Sequence, residues 1–211
     1  AQLVPTMDGR VLVAGGCAVL GQDRALPCAA AAGAVWFEPR TLLFSAGNNL
    51  AVARAGGTGF AGADGRVWLQ GGWDASGAHA TQIEKYGASS SVTLDDDGAV
   101  ATRLASGAVV SGFAESGAPP RPDVVSWSPF ATSAVSLPGA TSRAGASVTL
   151  LQDGNVLVVG GAGVGRGVAE VLDTSESLFQ SLGALPVSDR SEHGAVLLDD
   201  GTVLVVGGKD D

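Results

Sequence analysis

Short runs of aliphatic residues, closed at both ends by glycine, recur along this chain. Four of them follow an Asp-Gly pair and end in a Gly-Gly pair, and their turns begin at Asp8, Asp64, Asp153 and Asp200. Asp-Gly favours a tight hairpin turn because glycine adopts positive φ without steric cost. Apolar runs of about four to eight residues between turn residues are typical of strands buried on both faces. The pattern predicts an all-β chain in which each run lies between two other strands.

The runs are copies of one repeated unit. Their glycine pairs are Gly15–Gly16, Gly71–Gly72, Gly160–Gly161 and Gly207–Gly208. A degenerate fifth copy has Ser106-Gly107 at the turn and Gly112-Phe113 in place of the glycine pair. The steps between the first glycines, with Gly112 included, are 56, 41, 48 and 47 residues, which suits a four-stranded unit. We expect each pair to end its strand where two backbones pass close together.

Segments on both sides of the glycine-bounded runs repeat as well. Arginine stands eleven residues before the turn glycine at Arg54, Arg143 and Arg190, and the degenerate copy has Asp96 there. Outer strands are predicted after the glycine pairs, at 34–38, 81–84, 123–127 and 169–173. A fourth strand is predicted after each, with side chains turned onto the core of the sheet at Phe44, Phe179 and Leu182.

The order of these elements resembles the kelch repeat: arginine, apolar strand, Asp-Gly turn, apolar strand, Gly-Gly, loop, Ala-Glu-Val-type strand. The resemblance implies a kelch-type β-propeller formed as one domain over residues 1–211. It predicts four complete four-stranded blades and a half blade, at about 1–50, 51–90, 91–138, 139–185 and 186–211. Because both ends supply first and second strands, we expect a longer ring of six or seven blades, or closure against another chain.

Charge and hydropathy exclude some partners. The chain has 12 basic and 21 acidic side chains and a net charge of -9, which disfavours binding to a phosphate backbone. No apolar run approaches the roughly 20 residues that a transmembrane helix needs. The sequence therefore predicts neither a nucleic-acid partner nor a transmembrane segment.

The two cysteines, Cys17 and Cys28, are separated by residues typical of a loop. We predict a disulfide between them, which indicates an oxidising compartment. The phrase Val-Leu-Val-Val-Gly-Gly is similar to kelch-type proteins that bacteria secrete or display. We therefore expect an extracytoplasmic location: secreted, periplasmic or at the cell surface.

Catalytic and metal-binding chemistry finds little support in the sequence. A copper radical site like that of galactose oxidase, which is also carried by a kelch-type propeller, needs tyrosines and histidines, but Tyr86 is the single tyrosine. The two histidines, His79 and His193, lie in different repeats without metal-ligand spacing. The acidic clusters lie at turns or at the chain end. We predict no catalytic residue, no cofactor and no metal site.

Two further motifs have a structural interpretation. Ser191, Glu192 and His193 are adjacent in sequence, whereas the members of a catalytic triad meet from different segments. The glycine-rich stretch 161–167 lacks the Gly-Lys-Ser ending of a phosphate-binding loop. We expect His193 to be structural and 162–168 to be a loop between strands.

The predicted interaction surface consists of the loops that follow the glycine pairs. Its candidate contact residues are Trp73, Asp74, His79, Phe113, Glu115, Arg121 and Arg166, with Trp73 as an exposed aromatic anchor. The sequence thus favours a noncatalytic module that binds a protein, including another subunit of an assembly. A carbohydrate-binding module, or the propeller portion of a secreted carbohydrate-active enzyme, is the alternative.

Overall fold

The Asp-Gly turn of every repeat closes the same hairpin. In a computed structural model of the chain, the Thr6 N–H donates to the Arg10 carbonyl (2.9 Å) and the Gly9 N–H donates to the Thr6 carbonyl (3.0 Å). Gly9 has a φ of 88°, which closes the three-residue loop without a Cβ penalty. The same pair of bonds recurs at 62–66, 104–108, 151–155 and 198–202. The degenerate copy at Ser106-Gly107 therefore keeps the turn of the others.

The aspartate before the turn glycine fixes this loop in four of the copies. Its Oδ1 accepts the backbone N–H two residues later, at Asp8, Asp64, Asp153 and Asp200, over 2.9–3.2 Å. In the degenerate copy the Ser106 hydroxyl accepts the Ala108 N–H at 3.4 Å, a longer contact of the same kind. Asp and Ser favour turns because their oxygens accept hydrogen bonds from nearby backbone N–H groups.

The structure describes residues 1–19, 29–62, 64–88, 91–93, 100–112, 124–127, 134–137, 143, 145–161, 167–185 and 190–210. These residues contain strands and turns and no helix, so the prediction of an all-β chain is confirmed for them. In this part of the chain there is accordingly no helix long and apolar enough to cross a membrane. The chain divides into two compact units, Ala1–Ala99 and Val100–Asp211. The single-domain prediction stays a prediction.

The first unit contains two four-stranded antiparallel sheets. One has the order β1-β2-β5-β6 and the other the order β7-β8-β9-β10. A two-stranded ribbon, β3-β4, lies in sequence between β2 and β5. The strands are β1 (Gln2–Pro5), β2 (Val11–Ala14), β3 (Cys17–Val19), β4 (Ala29–Ala30), β5 (Ala34–Glu38), β6 (Leu43–Ala46), β7 (Thr58–Ala61), β8 (Val67–Gln70), β9 (Gln82–Lys85) and β10 (Ser91–Thr93).

The second unit contains two further four-stranded antiparallel sheets, β11-β12-β13-β14 and β15-β16-β17-β18. The hairpin β20-β21 and the short pair β19-β22 follow them. The strands are β11 (Val100–Arg103), β12 (Val109–Gly112), β13 (Val124–Trp127), β14 (Ala134–Ser136), β15 (Ser147–Leu150), β16 (Val156–Val159), β17 (Val168–Asp173), β18 (Leu178–Ala184), β19 (Arg190–Ser191), β20 (Gly194–Leu197), β21 (Val203–Val206) and β22 (Lys209–Asp210).

First strands of successive sheets lie side by side within each unit: β1 beside β7, β11 beside β15, and β15 beside β20. Gly59 of β7 makes one of these contacts possible, because a Cβ at Gly59 would collide with Val4 of β1. Val4 and Leu69 belong to one buried core in the first unit, and Val110 and Val158 to another in the second. The propeller arrangement, its kelch assignment and the number of blades stay predictions.

Two of the glycine pairs, Gly15–Gly16 and Gly160–Gly161, end their strands against the backbone that leads into the next sheet. The Gly16 N–H donates to the Arg54 carbonyl at 2.8 Å, and the Gly161 N–H donates to the Arg190 carbonyl at 2.9 Å. A Cβ at Gly15 would collide with that same Arg54 oxygen. Residues with side chains would hold the two backbones apart at these places.

Some sequence-based expectations are wrong. The second strand is buried on both faces in β8 and β12, but β21 alternates between half-buried and exposed residues. Phe44 and Leu182 are exposed, and each lies on the outermost strand of its sheet, which has no further strand beside it among the described residues. Phe179 does pack against the core of the second unit. The segment after Gly16 was expected to be all loop, but it opens with strand β3.

Candidate functional site

The segment that follows the second glycine pair is a tight hairpin. The Asp74 N–H donates to the Ala78 carbonyl at 2.8 Å, and the Gly77 N–H donates back to the Asp74 carbonyl at 3.1 Å. At its base the Ala80 N–H donates to the Gly72 carbonyl at 2.8 Å. Backbone bonds therefore hold both ends of the segment.

The Asp74 carboxylate ties the tip of this hairpin together. Its Oδ1 accepts the Ser76 N–H (2.8 Å), the Ser76 hydroxyl (2.6 Å) and the Ala78 N–H (3.0 Å). These bonds, the one from the Ser76 hydroxyl foremost, lower the pKa of Asp74 below its usual 3.8. Asp74 is thus ionised and bonded to the loop at neutral pH.

Trp73 lies on this rigid hairpin with 46% of its surface exposed. Its backbone exchanges two 2.8 Å hydrogen bonds with Ala55, in the segment before β7. Its ring lies against that of His79, with the centroids 5.4 Å apart and the planes tilted by 38°. A Cβ at Gly56 would lie 3.3 Å from the indole, so glycine there leaves room for the ring. The result is a fixed aromatic surface that is open on one side.

The structure brings together three of the predicted contact residues: Trp73, Asp74 and His79. The other four, Phe113, Glu115, Arg121 and Arg166, lie outside the described residues. Cys17 is the first residue of β3, and Cys28 lies outside the described residues, so the disulfide stays a prediction.

The repeated arginine Arg54 holds the second sheet together from inside. Its guanidinium is fully buried and donates to the carbonyls of Gly71 (3.0 Å) and Gln82 (3.2 Å). It also lies 3.6 Å from the carboxylate of Glu84, on β9. The Glu84 carboxylate accepts the N–H groups of Ala51 (2.7 Å) and Val52 (3.2 Å). We call Arg54 with Glu84 a clamp, because it joins the glycine pair to the third strand.

The fourth sheet repeats this clamp. Arg143 donates to the carbonyls of Gly160 (3.4 Å) and Val168 (2.7 Å) and pairs with the carboxylate of Glu170 on β17. Burial lowers the pKa of Arg143 to about 10, so it keeps its proton at neutral pH. In the last hairpin Arg190 donates to the Gly207 carbonyl at 2.5 Å.

The glutamates of the clamps were missed by the sequence analysis, although a signal for them exists. Strand pairing places Glu84 opposite Leu69 and Glu170 opposite Val158. The third sheet has Val125 at this place, and its copy also lacks the arginine. Arginine and glutamate therefore occur together or not at all in the second, third and fourth sheets, and comparing the copies for paired charges would have found them.

His193 is buried and forms a hydrogen bond within the fold. Its Nε2 lies 2.8 Å from the Ser147 hydroxyl, and both residues are buried. Burial, and then the charge of Arg190, lowers the pKa of His193 below 6.5. Glu192 pairs with Lys209 at 2.8 Å and so does not orient the imidazole. No carboxylate among the described side chains orients this buried Ser–His pair, which therefore fits a structural contact better than a nucleophile and its base.

Comparison with known proteins gives a likeness of fold. No family model matches the chain, and no curated protein matches it. Among solved structures it is similar to a novel fungal alcohol oxidase with catalytic diversity among the AA5 family, in complex with copper. The TM-score is 0.59 at 14% identity, over 98% of this chain and 57% of the oxidase chain. Identity this low shows similarity of fold alone, and the chain spans little more than half of the oxidase.

The described residues do not fit the copper that this oxidase binds. The His79 ring lies against Trp73, and His193 is bonded to Ser147. Tyr86 is packed edge-on against Trp36, with ring centroids 5.8 Å apart, and burial raises the pKa of its hydroxyl. Within the described ranges no three His, Cys, Asp or Glu side chains come close enough together to hold a metal ion.

Proposed function

We propose that this chain is a kelch-type β-propeller segment that binds a protein partner outside the cytoplasm, through the loops after its glycine pairs. Four four-stranded antiparallel sheets in sequence order, followed by a two-stranded hairpin, support four blades and a half blade of a six- or seven-bladed ring. The likeness in fold to the AA5 oxidase is compatible with this architecture. The disulfide between Cys17 and Cys28 belongs to the same proposal, because it implies an oxidising compartment.

The observation that carries the proposal is the half-exposed ring of Trp73 on its hairpin with Asp74 and His79, which we call the Trp73 surface. Rigid, half-exposed tryptophans are favoured as binding anchors because they bury a large area and lose little conformational freedom. The Asp74 carboxylate and the contact with His79 hold the ring in place before any partner arrives. Preorganisation of this kind raises affinity, because the cost of ordering the loop has already been met in folding.

The positions of the other reactive groups support a noncatalytic role. Arg54 and Arg143 are enclosed in clamps, and His193 is bonded to Ser147. The Asp side chains at the hairpin turns accept local backbone bonds, as Asp64 does from Arg66. These groups serve the fold in the described part of the chain.

The test compares Trp73→Ala with Phe44→Ala, a matched control that removes an exposed aromatic ring from β6, outside the loops. The immobilised variants are incubated with an extracytoplasmic extract, and retained proteins are quantified by mass spectrometry. A specific protein partner should be retained by the wild type and by Phe44→Ala. We expect Trp73→Ala to bind the identified protein with about 2 kcal/mol less free energy, roughly a thirty-fold increase in Kd. Equal retention by all three forms would refute the proposal.

A carbohydrate ligand is the second candidate, as a binding module or as the propeller portion of a secreted carbohydrate-active enzyme. An exposed indole face also suits the apolar face of a sugar ring, and the oxidase of similar fold belongs to a family of enzymes. A glycan array distinguishes the two. Binding of defined glycans that Trp73→Ala abolishes and Phe44→Ala retains would favour the carbohydrate role over the protein role.

The compartment is tested separately by intact-mass spectrometry of the chain purified from its native host. The proposal expects a mass lower by two hydrogen atoms than after reduction, and a peptide linking Cys17 to Cys28 in a nonreducing digest. Two free thiols in the native protein would contradict the extracytoplasmic assignment.

A further inference from the structure

In the first unit an arginine already occupies the face of one tryptophan. The guanidinium carbon of Arg10 lies 4.4 Å from the centroid of the Trp36 ring. The carboxylate of Asp8 pairs with that guanidinium, with its Oδ2 2.7 Å from one of the nitrogens. An indole attracts a cation because the face of its π system is negative. Trp36, Arg10 and Asp8 thus form a complete set of ring, cation and carboxylate.

The Trp73 surface has the ring and the carboxylate of such a set. Trp73 is 46% exposed, and Asp74 is the next residue in the chain. Neighbouring Cα atoms lie about 3.8 Å apart, so the carboxylate lies within one Debye length of the indole, which is about 10 Å at 0.1 M salt. Asp74 is ionised at neutral pH, because its bonds to Ser76, and then to Ala78, lower its pKa. Both the ring and the carboxylate therefore attract a cation to this place.

The described part of the chain does not supply the cation. Asp8 and Asp64 each have an arginine two residues later and pair with it, at 2.7 and 3.2 Å. Asp74 has Ser76 at that place. No described Lys or Arg side chain pairs with this carboxylate or stacks on the neighbouring indole. Arg54, in the same sheet, is fully buried in its clamp.

The charge around the site also favours a cationic ligand. Residues 67–84 contain Asp74 and Glu84 and no Lys or Arg, and the whole chain has a net charge of -9. Such a field attracts positively charged partners and speeds their encounter with the surface. Among cationic side chains, arginine stacks best on an indole, because its guanidinium is planar and more weakly hydrated than an ammonium group. An arginine is therefore the side chain that fits this surface best.

We propose that the Trp73 surface binds an arginine side chain of the partner protein, stacked on the open face of the indole and attracted by the Asp74 carboxylate. The inference rests on the proposed function, because it names the group through which that partner is held. A partner segment rich in acidic residues is repelled by the same charges. A neutral sugar ring on the indole would not respond to the charge of Asp74, so experiment can separate the two kinds of ligand.

The probes are two blocked peptides, Gly-Gly-Arg-Gly-Gly and the same peptide with citrulline, whose side chain has nearly the same shape but no charge. An NMR titration of the isotope-labelled full chain follows the indole N–H of Trp73, which Trp73→Ala identifies by its loss. We expect a saturable shift with the arginine peptide and a Kd about fivefold higher for the citrulline peptide. Equal affinities, or no shift of this indole with either peptide, would overturn the proposal.

Asp74→Asn removes the charge and keeps the oxygen that accepts the hydrogen bonds of the hairpin. It should weaken binding of the arginine peptide about threefold and leave the citrulline peptide unchanged. Asp200→Asn is the matched control, because Asp200 accepts the N–H and the hydroxyl of Thr202 at its own turn, at 2.9 and 2.7 Å, and carries the same charge. This control should bind both peptides as the wild type does. Equal effects of the two substitutions would contradict the role of Asp74.

Salt provides a second test of the charge if the hairpin opens in Asp74→Asn, which amide exchange at Ser76 and Ala78 would detect. On the wild type, added sodium chloride should weaken the arginine peptide and leave the citrulline peptide unchanged. The same salt dependence for both peptides would count against the proposal.

The outcome is separable from that of the proposed function. A protein partner that needs Trp73 but binds Asp74→Asn as tightly as the wild type would leave the proposed function standing and overturn this inference. Failure to retain any partner, together with a positive titration, would refute the proposed function and leave the arginine site supported.

Discussion

Arg54 and Arg190 occupy equivalent places in their repeats but differ in their surroundings. Each donates to the carbonyl of the first glycine of its pair, at 3.0 and 2.5 Å. Arg54 is fully buried and has the Glu84 carboxylate beside it, whereas Arg190 is partly exposed. The difference comes from the third strand, which supplies both the cover and the counter-charge in the second sheet.

The repeated arginine has two roles that cannot be told apart in the sequence: a hydrogen bond to the glycine carbonyl and a buried ion pair. The bond from the arginine to the glycine carbonyl forms in all three repeats that have the arginine, including the last, where β20 and β21 form a two-stranded sheet. The buried ion pair needs the third strand as well, because an arginine can be enclosed only with its charge matched. The same repeated arginine therefore contributes different amounts to the free energy of unfolding in two sheets of this protein.

The largest expected effect is that of Arg54→Met. Removing one partner of a buried pair leaves the other charge unmatched, which costs about 3–5 kcal/mol of the free energy of unfolding. Arg190→Met should cost about 1 kcal/mol or less, since it removes one hydrogen bond near solvent. Urea denaturation monitored by tryptophan fluorescence measures both.

The double variant Arg54→Met with Glu84→Leu is the control for this experiment. It replaces the pair with apolar side chains and should recover a large part of the loss. Equal losses for Arg54→Met and Arg190→Met would contradict the view that the third strand makes the difference.

A smaller difference is expected between Gly160→Ala and Gly207→Ala. Both glycines have positive φ, 62° and 73°, so each alanine costs about 1–2 kcal/mol in backbone strain. A Cβ at Gly160 would also collide with the Arg190 carbonyl and lie 2.8 Å from the His193 ring, whereas one at Gly207 would have no described atom within 4 Å. Overpacking adds about 1–3 kcal/mol at Gly160 alone. Equal shifts of the urea midpoint for Gly160→Ala and Gly207→Ala would show that the close approach of the next backbone adds nothing to the cost of the Gly160 substitution.

The smallest expected effect concerns pH and contrasts two junctions between sheets. Between β1 and β7 the Gln2 amide donates to the Gly56 carbonyl at 2.9 Å, a bond that does not titrate. Between β15 and β20 the contact is Ser147 with His193, whose pKa lies below 6.5. Because the pKa is lower in the folded state, the imidazole of the unfolded chain takes up a proton more readily than that of the folded chain. The contribution of His193 to stability is therefore complete above pH 6.5 and is lost as the pH falls through the lowered pKa.

The melting temperature measured from pH 7.5 to pH 5 tests this. The wild type should lose more stability over that range than His193→Gln, whose side chain offers the junction an amide that does not titrate. Parallel curves for the two proteins would exclude His193 as the source of the pH dependence.

Much of the local structure could be predicted from the sequence, because it depends on nearby residues. The turns and the strands that follow them form where the Asp-Gly pairs predict them. The turn at Ser106 has the same backbone hydrogen bonds as the others. The exposure of Phe44 could not be predicted, since it depends on what lies beyond an outermost strand. The glutamates of the clamps are separated from their arginines by 27 and 30 residues, so strand register decides the pairing.

The candidate site was predictable to a similar degree. An aromatic residue in a glycine-bounded loop suggested an anchor at Trp73, but the stacking on His79 depends on a hairpin that Asp74 closes from within. The exposure of β21, which pairs with β20 alone among the described strands, was not predictable, because Val-Leu-Val-Val reads the same in β16, where it is covered.

Each four-stranded sheet is made from one continuous stretch of chain, with every strand paired to the next one along or, at β2 and β5, across a short ribbon. Pairings between residues close in sequence require little loop-closure entropy, so chains built this way reach their transition state faster than β proteins with distant pairings. A ribosome would have delivered each complete sheet before the next began. Assembly during synthesis can therefore proceed one sheet at a time from the amino terminus.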